Sequence, residues 1–246
     1  MKISLITAVY NHADTIAQAV QSVQTQSWPM VEHVVIDGAS TDGTVQVLQS
    51  CLNERAVWVT EPDKGIYHAL NKGLARATGD VIGLMHSDDF FADDHVLSRV
   101  AAAFVDPDVD AVYGDLDYVA KDDTSRIIRR WRSGEYQVAQ LAYGWMPPHP
   151  TLYLRRSVIE RWGGYDTRYK IAADYDAILR YFGQGHIRVA YIPHVLVKMR
   201  VGGESNRSLA KVWLKTREDY AALRRNNVGG VATLILKNVR KLGQFF

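Results

Sequence analysis

The stretch VIGLMHSDDFFADD, residues 81–94, joins an apolar run to a cluster of carboxylates. Residues 81–85 carry no polar side chain, which is typical of a strand that is buried on both faces. Asp88 and Asp89 follow almost directly, where such a strand would end. The stretch therefore predicts a buried strand whose carboxyl end carries a charged site.

Apolar runs of strand length alternate with helix-spaced apolar residues on both sides of this stretch. Strands separated by helices, and apolar on both faces, form a largely parallel sheet with helices packed against it. We therefore predict an α/β fold with a mostly parallel, Rossmann-like sheet flanked by helices. The strands are expected at residues 3–9, 33–37, 56–61, 81–85 and 111–115.

The composition is that of a globular protein with a substantial core. The chain has 246 residues, of which 47% are hydrophobic and 23% charged, enough for one large domain. Its single cysteine, Cys51, excludes an intramolecular disulfide. The segment MKISLITAVYNHADT turns polar too soon for a signal peptide, and no run approaches the roughly 20 apolar residues of a spanning helix. We expect a cytoplasmic protein.

Charge is distributed unevenly along the chain. Residues 207–246 contain nine Lys and Arg but two acids, whereas the first 206 residues are net acidic. Such a tail is typical of contact with a negatively charged membrane surface or a nucleic acid, although a solvated helix packed on the body has the same composition. We predict a first half at 1–115, a second half of the same domain at 116–204, and a basic helical tail at 205–246.

Acidic and polar side chains recur where the predicted parallel strands end. In open α/β sheets, ligands bind outside the carboxyl ends of the strands. Adjacent carboxylates at such an edge suit Mg²⁺ or Mn²⁺, which prefer oxygen ligands and often take only one or two from the protein. A helix cap is the alternative for each single acid. No Gly-x-Gly-x-x-Gly or Walker A sequence is present, which disfavours dinucleotide and P-loop sites.

Three stretches in order resemble family 2 glycosyltransferases of the GT-A fold. They are TAVYN at 7–11, VVIDGASTDGT at 34–44 and EPDKGIYHALNKGLARATGDVIGLMHSDD at 61–89. The resemblance is dense over about the first 95 residues and sparse to residue 206. It is nearest to bacterial enzymes of O-antigen and exopolysaccharide assembly.

The resemblance implies an inverting transfer of a hexosyl or N-acetylhexosaminyl group from a nucleotide-sugar donor, with UDP favoured and with Mn²⁺ or Mg²⁺ as cofactor. The implied acceptor is a saccharide or a polyprenyl-diphosphate-linked saccharide. Peripheral contact of the tail with the inner face of the cell membrane follows from such an acceptor. No nucleic-acid partner is expected.

The resemblance implies that residues 1–115 form the nucleotide-sugar-binding half and residues 116–204 the acceptor half. It also implies a role for individual residues. Asp89 would be the main metal ligand, and Asp88 would approach both metal and ribose. Asp174 would be the catalytic base, although Ala173 stands where the family has a glutamate. The implied nucleotide-binding residues are Thr7, Ala8, Tyr10, Asn11, Asp37, Asp63, Lys64 and Asp88. The candidates for contact with the acceptor or the diphosphate are Trp145, His149 and Arg200, followed by a loop containing Gly202 and Gly203.

Other interpretations fit parts of this pattern. Asp174 could serve only as an acidic residue in the first turn of a helix, and Trp145 and His149 could be core residues. A sugar-nucleotide nucleotidyltransferase would need a Gly-rich loop after the first strand, and residues 7–15 contain none. A catalytically impaired, nucleotide-binding scaffold protein of a polysaccharide assembly complex is the alternative that the alanine at 173 supports.

Overall fold

The computed structural model describes residues 1–184, 187–201 and 209–240. Over these residues, nine strands form one sheet and eight α-helices pack around it. The strands are β1 (Ile3–Val9), β2 (Val31–Asp37), β3 (Ala56–Thr60), β4 (Val81–Leu84), β5 (Phe90–Phe91), β6 (Ala111–Val119), β7 (Ile127–Trp131), β8 (Tyr153–Arg155) and β9 (Val189–Arg200). The helices are α1 (Ile16–Gln24), α2 (Thr44–Cys51), α3 (Ile66–Arg76), α4 (Val96–Ala103), α5 (Arg156–Trp162), α6 (Ala173–Leu179), α7 (Leu209–Arg225) and α8 (Val231–Arg240).

The sheet order is β3-β2-β1-β4-β8-β6-β9-β5, with β7 added to β6. Strands β1 to β4 are mutually parallel, and β6 and β9 run parallel to each other. The short strand β8 pairs antiparallel with both β4 and β6, so β6 points the same way as β4. The predicted mostly parallel α/β sheet is confirmed. Strand order reverses at β1, which creates a crevice at the carboxyl ends of β1 and β4.

Strand β1 is buried along its whole length because helices cover both faces of the sheet. Side chains alternate between faces. Leu5 joins the core cluster formed with α1 and α4, while Ile6 joins the one formed with α3. A Cβ on Gly73 would lie 2.3 Å from Ile6 Cγ2, so α3 can approach the sheet this closely only because residue 73 is glycine.

The acceptor half departs from the sequence prediction in its strands. No strand was expected in residues 127–131, 153–155 or 189–200, yet β7, β8 and β9 lie there and extend the same sheet. Strand β6 also continues four residues beyond the predicted end. These segments mix aromatic, Gly, Pro and Arg residues, so their apolar side chains show no clear period of two.

The tail is helical, as predicted, but consists of two helices packed on the body. Ala222 and Leu223 of α7 and Leu234 of α8 are buried in the core cluster that contains Tyr175 and Phe182. In the described ranges, no helix has both the length and the apolar character needed to cross a membrane. The described tail is therefore an integral layer of the acceptor half.

One buried histidine makes the fold sensitive to acid. His33 lies in β2 with its Nε2 2.9 Å from Thr7 Oγ1, and burial lowers the pKa of His33 to about 4. The unfolded chain would titrate this ring near its ordinary pKa of about 6.5. Between these pH values the folded state binds fewer protons than the unfolded chain. The contribution of His33 to the free energy of unfolding is therefore complete above pH 6.5 and is lost as the pH falls toward 4.

We expect the free energy of unfolding to fall by about 2–3 kcal/mol from His33 alone between pH 7 and pH 4.5. His33→Leu removes this titration, and its stability should fall correspondingly less over the same interval. Urea unfolding at the two pH values measures the difference, with His194→Leu at an exposed position as the matched control. Equal pH dependence of wild type and His33→Leu would contradict the prediction.

Candidate active site

The loops that follow β1 and β2 are held together by polar contacts. Asp37 is fully buried, and its carboxylate accepts hydrogen bonds from the Ser40 hydroxyl at 2.5 Å and from the Ser40 N–H at 3.1 Å. The Ser40 hydroxyl in turn accepts from the Asn11 N–H at 2.9 Å. Asn11 adopts a left-handed backbone conformation with φ of 54°. The carboxyl ends of the two strands therefore form one ordered edge.

Asp63 lies against this edge from the loop after β3. A Cβ on Gly38 would lie 2.6 Å from Asp63 Oδ2 and 3.4 Å from Tyr10 Cδ2. Because residue 38 is glycine, the Asp63 carboxylate can lie next to the backbone that follows Asp37. The Tyr10 ring is 60% exposed and Lys64 is exposed, so both are accessible from solvent.

Thr7 and Ala8 lie inside the sheet instead of at this edge. The Thr7 hydroxyl is fully buried, 2.8 Å from the Met85 carbonyl oxygen to which it donates, and Ala8 belongs to the core cluster under α3. The side chains of Thr7 and Ala8 do not face this edge, and the contact of these residues with the nucleotide stays a prediction. Both residues still belong to the paired part of β1, and the chain leaves the sheet only after Val9.

Asp88 lines a cleft between the loops after β1 and β4 and the end of β9. The Ser87 hydroxyl lies 2.9 Å from His12 Nδ1, which joins the first two of these loops. The cleft brings acids and cations together, a combination suited to a metal–diphosphate group. Its lining residues are Asn11, His12, Asp14, Thr15, Asp88, Lys121, Arg200 and Val201.

Asp89 is fully buried next to this cleft. Its Oδ1 accepts the Arg200 N–H at 3.1 Å, while its Oδ2 has no hydrogen-bond partner among the described residues. Burial and the neighbouring charge of Asp88 raise the pKa of Asp89 well above its usual range. A buried carboxylate oxygen without a partner is costly unless a proton or a cation satisfies it.

Among the described residues, two carboxylates are the most that this edge offers a metal ion. Across residues 1–184, 187–201 and 209–240, no three His, Cys, Asp or Glu side chains gather as a metal-binding group. Asp88 in the cleft and the partnerless oxygen of Asp89 nevertheless fit a hard divalent cation, provided that a diphosphate and water complete its coordination.

Arg200 connects the end of β9 to the loop that carries Asp88 and Asp89. Its guanidinium donates to the Asp88 carbonyl oxygen and to Gln18 Oε1, and lies 5.1 Å from the centroid of the Phe90 ring. The side chain is buried but also lines the cleft. Gly202 and Gly203, predicted to form a loop over the donor, lie outside the described residues.

A row of side chains in contact connects this loop to Asp174. His86 Nε2 lies 2.9 Å from His149 Nε2, and His149 Nδ1 lies 3.3 Å from Asp174 Oδ2. Burial lowers the pKa of His86 to about 4 and also lowers the pKa of His149, which the Asp174 charge partly offsets. Both rings are therefore neutral at pH 7, and one Nε2 donates to the other.

Asp174 is the accessible carboxylate of α6. Tyr67 donates through its hydroxyl to the Ile171 carbonyl at 2.5 Å and to Asp174 Oδ1 at 3.2 Å. Burial and the Asp174 charge raise the pKa of Tyr67, which keeps that hydroxyl protonated. Asp176 instead points inward, where it accepts from Asn226 at 3.0 Å. The Asp174 side chain is 22% exposed and the Asp176 side chain 1%, so only Asp174 can meet a substrate.

Comparison with known proteins identifies the chain. The family model for Glycosyl transferase family 2 matches residues 4–163. This chain belongs to glycosyl transferase family 2.

Curated relatives of this family 2 glycosyltransferase agree with that assignment. An uncharacterized glycosyltransferase of Mycobacterium tuberculosis H37Rv is 33% identical over 72% of this chain and 68% of its own length. A PGL/p-HBAD biosynthesis glycosyltransferase of Mycobacterium bovis BCG is 31% identical over 86% of this chain and 82% of its own length.

Solved structures confirm the GT-A fold of the family 2 glycosyltransferase. Staphylococcus aureus TarS 1–349, solved with UDP-GlcNAc, superposes with a TM-score of 0.72 at 20% identity, covering 93% of this chain and 66% of TarS 1–349. The mannosyltransferase PcManGT from Pyrobaculum calidifontis, solved with GDP-Man and Mn²⁺, gives a TM-score of 0.68 at 20% identity, covering 96% and 68%. The chain therefore spans just under two thirds of TarS 1–349.

The site of this family 2 glycosyltransferase also contains residues that the sequence analysis missed, and it omits one that was expected. Trp145 is a core residue, because its Nε1 donates to the Ser133 carbonyl at 3.0 Å and its ring packs edge-on against Tyr113. Its predicted acceptor contact is corrected. His86 was overlooked although it stands two positions before Asp88. Tyr67 and Lys121 reach the site from α3 and from the end of β6, and no local signal marks them.

We expect His149→Phe to lower the turnover number for sugar transfer by about 10–100-fold, because Asp174 loses the ring that holds Oδ2. Affinity for the nucleotide should stay within about twofold, since His149 lies on the Asp174 side of the row. Steady-state kinetics and nucleotide titration measure both quantities, with His194→Gln as the control. A loss of nucleotide affinity equal to the loss of turnover would instead assign His149 to the donor.

Proposed function

We propose that this glycosyltransferase moves a sugar, with inversion, from a UDP-sugar to a hydroxyl group of a saccharide acceptor. One observation carries the proposal. The row His86–His149–Asp174 starts two residues before Asp88 and ends at the one accessible carboxylate of α6. A donor bound at the strand ends and an acceptor activated by Asp174 would therefore meet in one crevice.

The nucleoside would bind where the loops after β1, β2 and β3 converge. Asp37 is expected to accept a hydrogen bond from the base, which suits the N–H of uracil. Tyr10, Asn11 and Asp63 surround that position, and Lys64 would offset phosphate charge. The solved complex of TarS with UDP-GlcNAc supports UDP as the nucleotide. The complex of PcManGT with GDP-Man makes GDP the competing candidate.

Asp88 and Asp89 would hold Mn²⁺ or Mg²⁺ together with the diphosphate. When bound, such a cation offsets the negative charge that develops on the leaving diphosphate. The presence of Mn²⁺ in the PcManGT structure supports this choice. Lys121 and Arg200 in the same cleft add fixed positive charge, which lowers the cost of bringing a diphosphate between two carboxylates.

Asp174 would act as the general base. Its carboxylate takes the proton of the acceptor hydroxyl while that oxygen forms a bond to the anomeric carbon. The bond from the anomeric carbon to the diphosphate oxygen breaks, and its electron pair leaves with the nucleotide. A single displacement inverts the anomeric centre. Tyr67 and His149 hold the two carboxylate oxygens, so the base is oriented before the acceptor binds.

The relatives and the tail support a proposal for the acceptor class. We assign the enzyme to synthesis of bacterial surface polysaccharide, such as O-antigen or exopolysaccharide, at the cytoplasmic face of the membrane. A saccharide on a polyprenyl diphosphate is the acceptor expected there. One relative is named for PGL/p-HBAD biosynthesis, which supports a lipid-linked acceptor only by family likeness.

The outer face of α8 would provide peripheral contact with an anionic lipid surface. Val231, Ile235 and Val239 lie four residues apart on that face, and each is more than half exposed. Both acids of α7 and α8, Glu218 and Asp219, are buried, so the exposed charges of these helices are positive. Each such Lys or Arg contributes about 1 kcal/mol near an anionic bilayer. The exposed arginines are Arg217, Arg224, Arg225 and Arg240.

We expect UDP together with Mn²⁺ or Mg²⁺ to raise the thermal stability more than GDP or dTDP does, and EDTA to abolish the rise. A ligand at 100 times its dissociation constant stabilises by roughly 2.7 kcal/mol. The rise should be lost in Asp88→Asn and in Asp89→Asn, and retained in Asp174→Asn. Thermal unfolding measures all of these.

Three other outcomes of that experiment have defined meanings. A larger rise with GDP would move the donor to a GDP-sugar. No rise with any nucleotide would contradict the proposed function. Binding without transfer in the wild type would favour the scaffold alternative. For an active enzyme, NMR of the first-formed product reports the anomeric configuration, and retention would exclude single displacement.

We expect the full chain to sediment with vesicles that contain phosphatidylglycerol and not with pure phosphatidylcholine. Replacing Ile235 and Val239 by Gln should weaken this binding several-fold while leaving the buried face of α8 intact. Val105→Gln, on the body and 80% exposed, is the matched control. Deletion of the tail is unsuitable because α7 and α8 belong to the core. Failure of the wild type to bind anionic vesicles would disprove the contact.

A further inference from the structure

Helix α6, which carries the proposed base, begins without a capping side chain of its own. Its N-cap residue is Ala172, which has no side-chain oxygen. The first N–H groups of a helix have no partner within the helix and need acceptors from elsewhere. Residues 170–172 precede the helix and include its N-cap residue, so their N–H groups also have no acceptor within it. An acceptor for them must come from another part of the chain.

Glu218 of α7 supplies that acceptor. Its carboxylate accepts from the Lys170 N–H at 3.0 and 3.1 Å, from the Ile171 N–H at 2.8 Å and from the Ala172 N–H at 3.0 Å. The glutamate is only 8% exposed, so these bonds form away from competing water. A negative charge at this end of α6 is also favoured by the helix dipole.

Residues of the C-terminal segment also contact the residues that follow Asp174. The ammonium of Lys237 lies 3.2 Å from the centroid of the Tyr175 ring and 2.8 Å from Asp219. Asn226 donates to Asp176. Burial lowers the pKa of Lys237 to about 8, against the opposing effect of Asp219, yet the group remains mostly charged at pH 7.

The Glu218 contacts reach Asp174 through one intermediate side chain. Ile171 donates its N–H to Glu218 and accepts the Tyr67 hydroxyl at its carbonyl. That same hydroxyl is 3.2 Å from Asp174 Oδ1. A shift of residues 170–172 would therefore move both Tyr67 and the start of α6, and with them the carboxylate that must meet the acceptor.

We propose that Glu218 is a positioning residue for the base: it fixes residues 170–172 and thereby sets the orientation of Asp174. It touches neither donor nor acceptor. The role rests on the proposed function, because it presumes that Asp174 removes the acceptor proton. The C-terminal helices, which lie outside the family match at 4–163, are then part of the catalytic apparatus.

Kinetics of Glu218→Gln in the full chain test the proposal. The substitution removes the charge that strengthens the three bonds and replaces the oxygen that accepts from Lys170 at 3.0 Å by an amide donor, which repels the Lys170 N–H. We expect the turnover number to fall by about 10–100-fold, with donor KM and UDP affinity within about twofold. Glu160→Gln, at an exposed position on α5, is the matched control.

A double-mutant cycle separates positioning from a general structural effect. If Glu218 acts only through Asp174, then Glu218→Gln should lower the residual activity of Asp174→Asn by less than about twofold. A purely structural role would lower both backgrounds by the same factor. That result would overturn the proposal, as would unchanged turnover in Glu218→Gln or an equal loss of UDP affinity.

Amide hydrogen exchange provides a readout that needs no acceptor. Exchange of residues 169–176 should rise at least about tenfold in Glu218→Gln, while the amides of α3 stay unchanged. Unaltered exchange would overturn the proposal whether or not the enzyme is active. Faster exchange in a protein that binds no nucleotide would refute the proposed function, although it would still show that Glu218 stabilises residues 170–172. If Glu218→Gln fails to fold, Glu218→Asp, which keeps the charge on a shorter side chain, should show an intermediate loss.

Discussion

The pairing of β1 with both β2 and β4 in parallel register is the constraint on which the site depends. It places three carboxyl ends side by side, so loops that are distant in sequence supply Asn11, Asp37 and Asp88 to one edge. Each loop is then fixed by few contacts, such as the Ser40 hydroxyl between Asn11 and Asp37. Without this register the acids would be isolated surface charges of little consequence.

The second half of the crevice depends on buried polar contacts more than on strand pairing. His86 and His149 are held neutral by burial, which lets them act as fixed hydrogen-bonding groups next to Asp174. Arg200 joins β9 to the acidic loop in the same way, through its own backbone N–H and its guanidinium. Such networks restrict the geometry, because the loss of a partner leaves a buried polar group unsatisfied.

The nucleotide half could be predicted from sequence because its strands are continuous apolar runs and its acids follow them directly. Asp37 and Asp88 lie at the expected edge for that reason. The direction of a side chain was less predictable. Thr7 lies in the predicted strand, but its side chain faces the protein interior. Strands β7, β8 and β9 escaped prediction, because an aromatic-rich segment gives no periodic signal, and a core position for Trp145 was only the alternative interpretation. The contact between Glu218 and α6 joins residues 46 to 48 positions apart, which no local pattern encodes.

The dependence of α6 on α7 has a consequence for the order in which the enzyme is assembled. Synthesis runs from the N-terminus, so residue 174 emerges before residue 218. The cleft next to Asp88 is complete once β9 has supplied Arg200, whereas the start of α6 waits for Glu218. The nascent protein would therefore complete the proposed donor cleft before it fixes the proposed base, and chimaeras between family members would need to exchange residues 116–204 and the C-terminal helices as one unit.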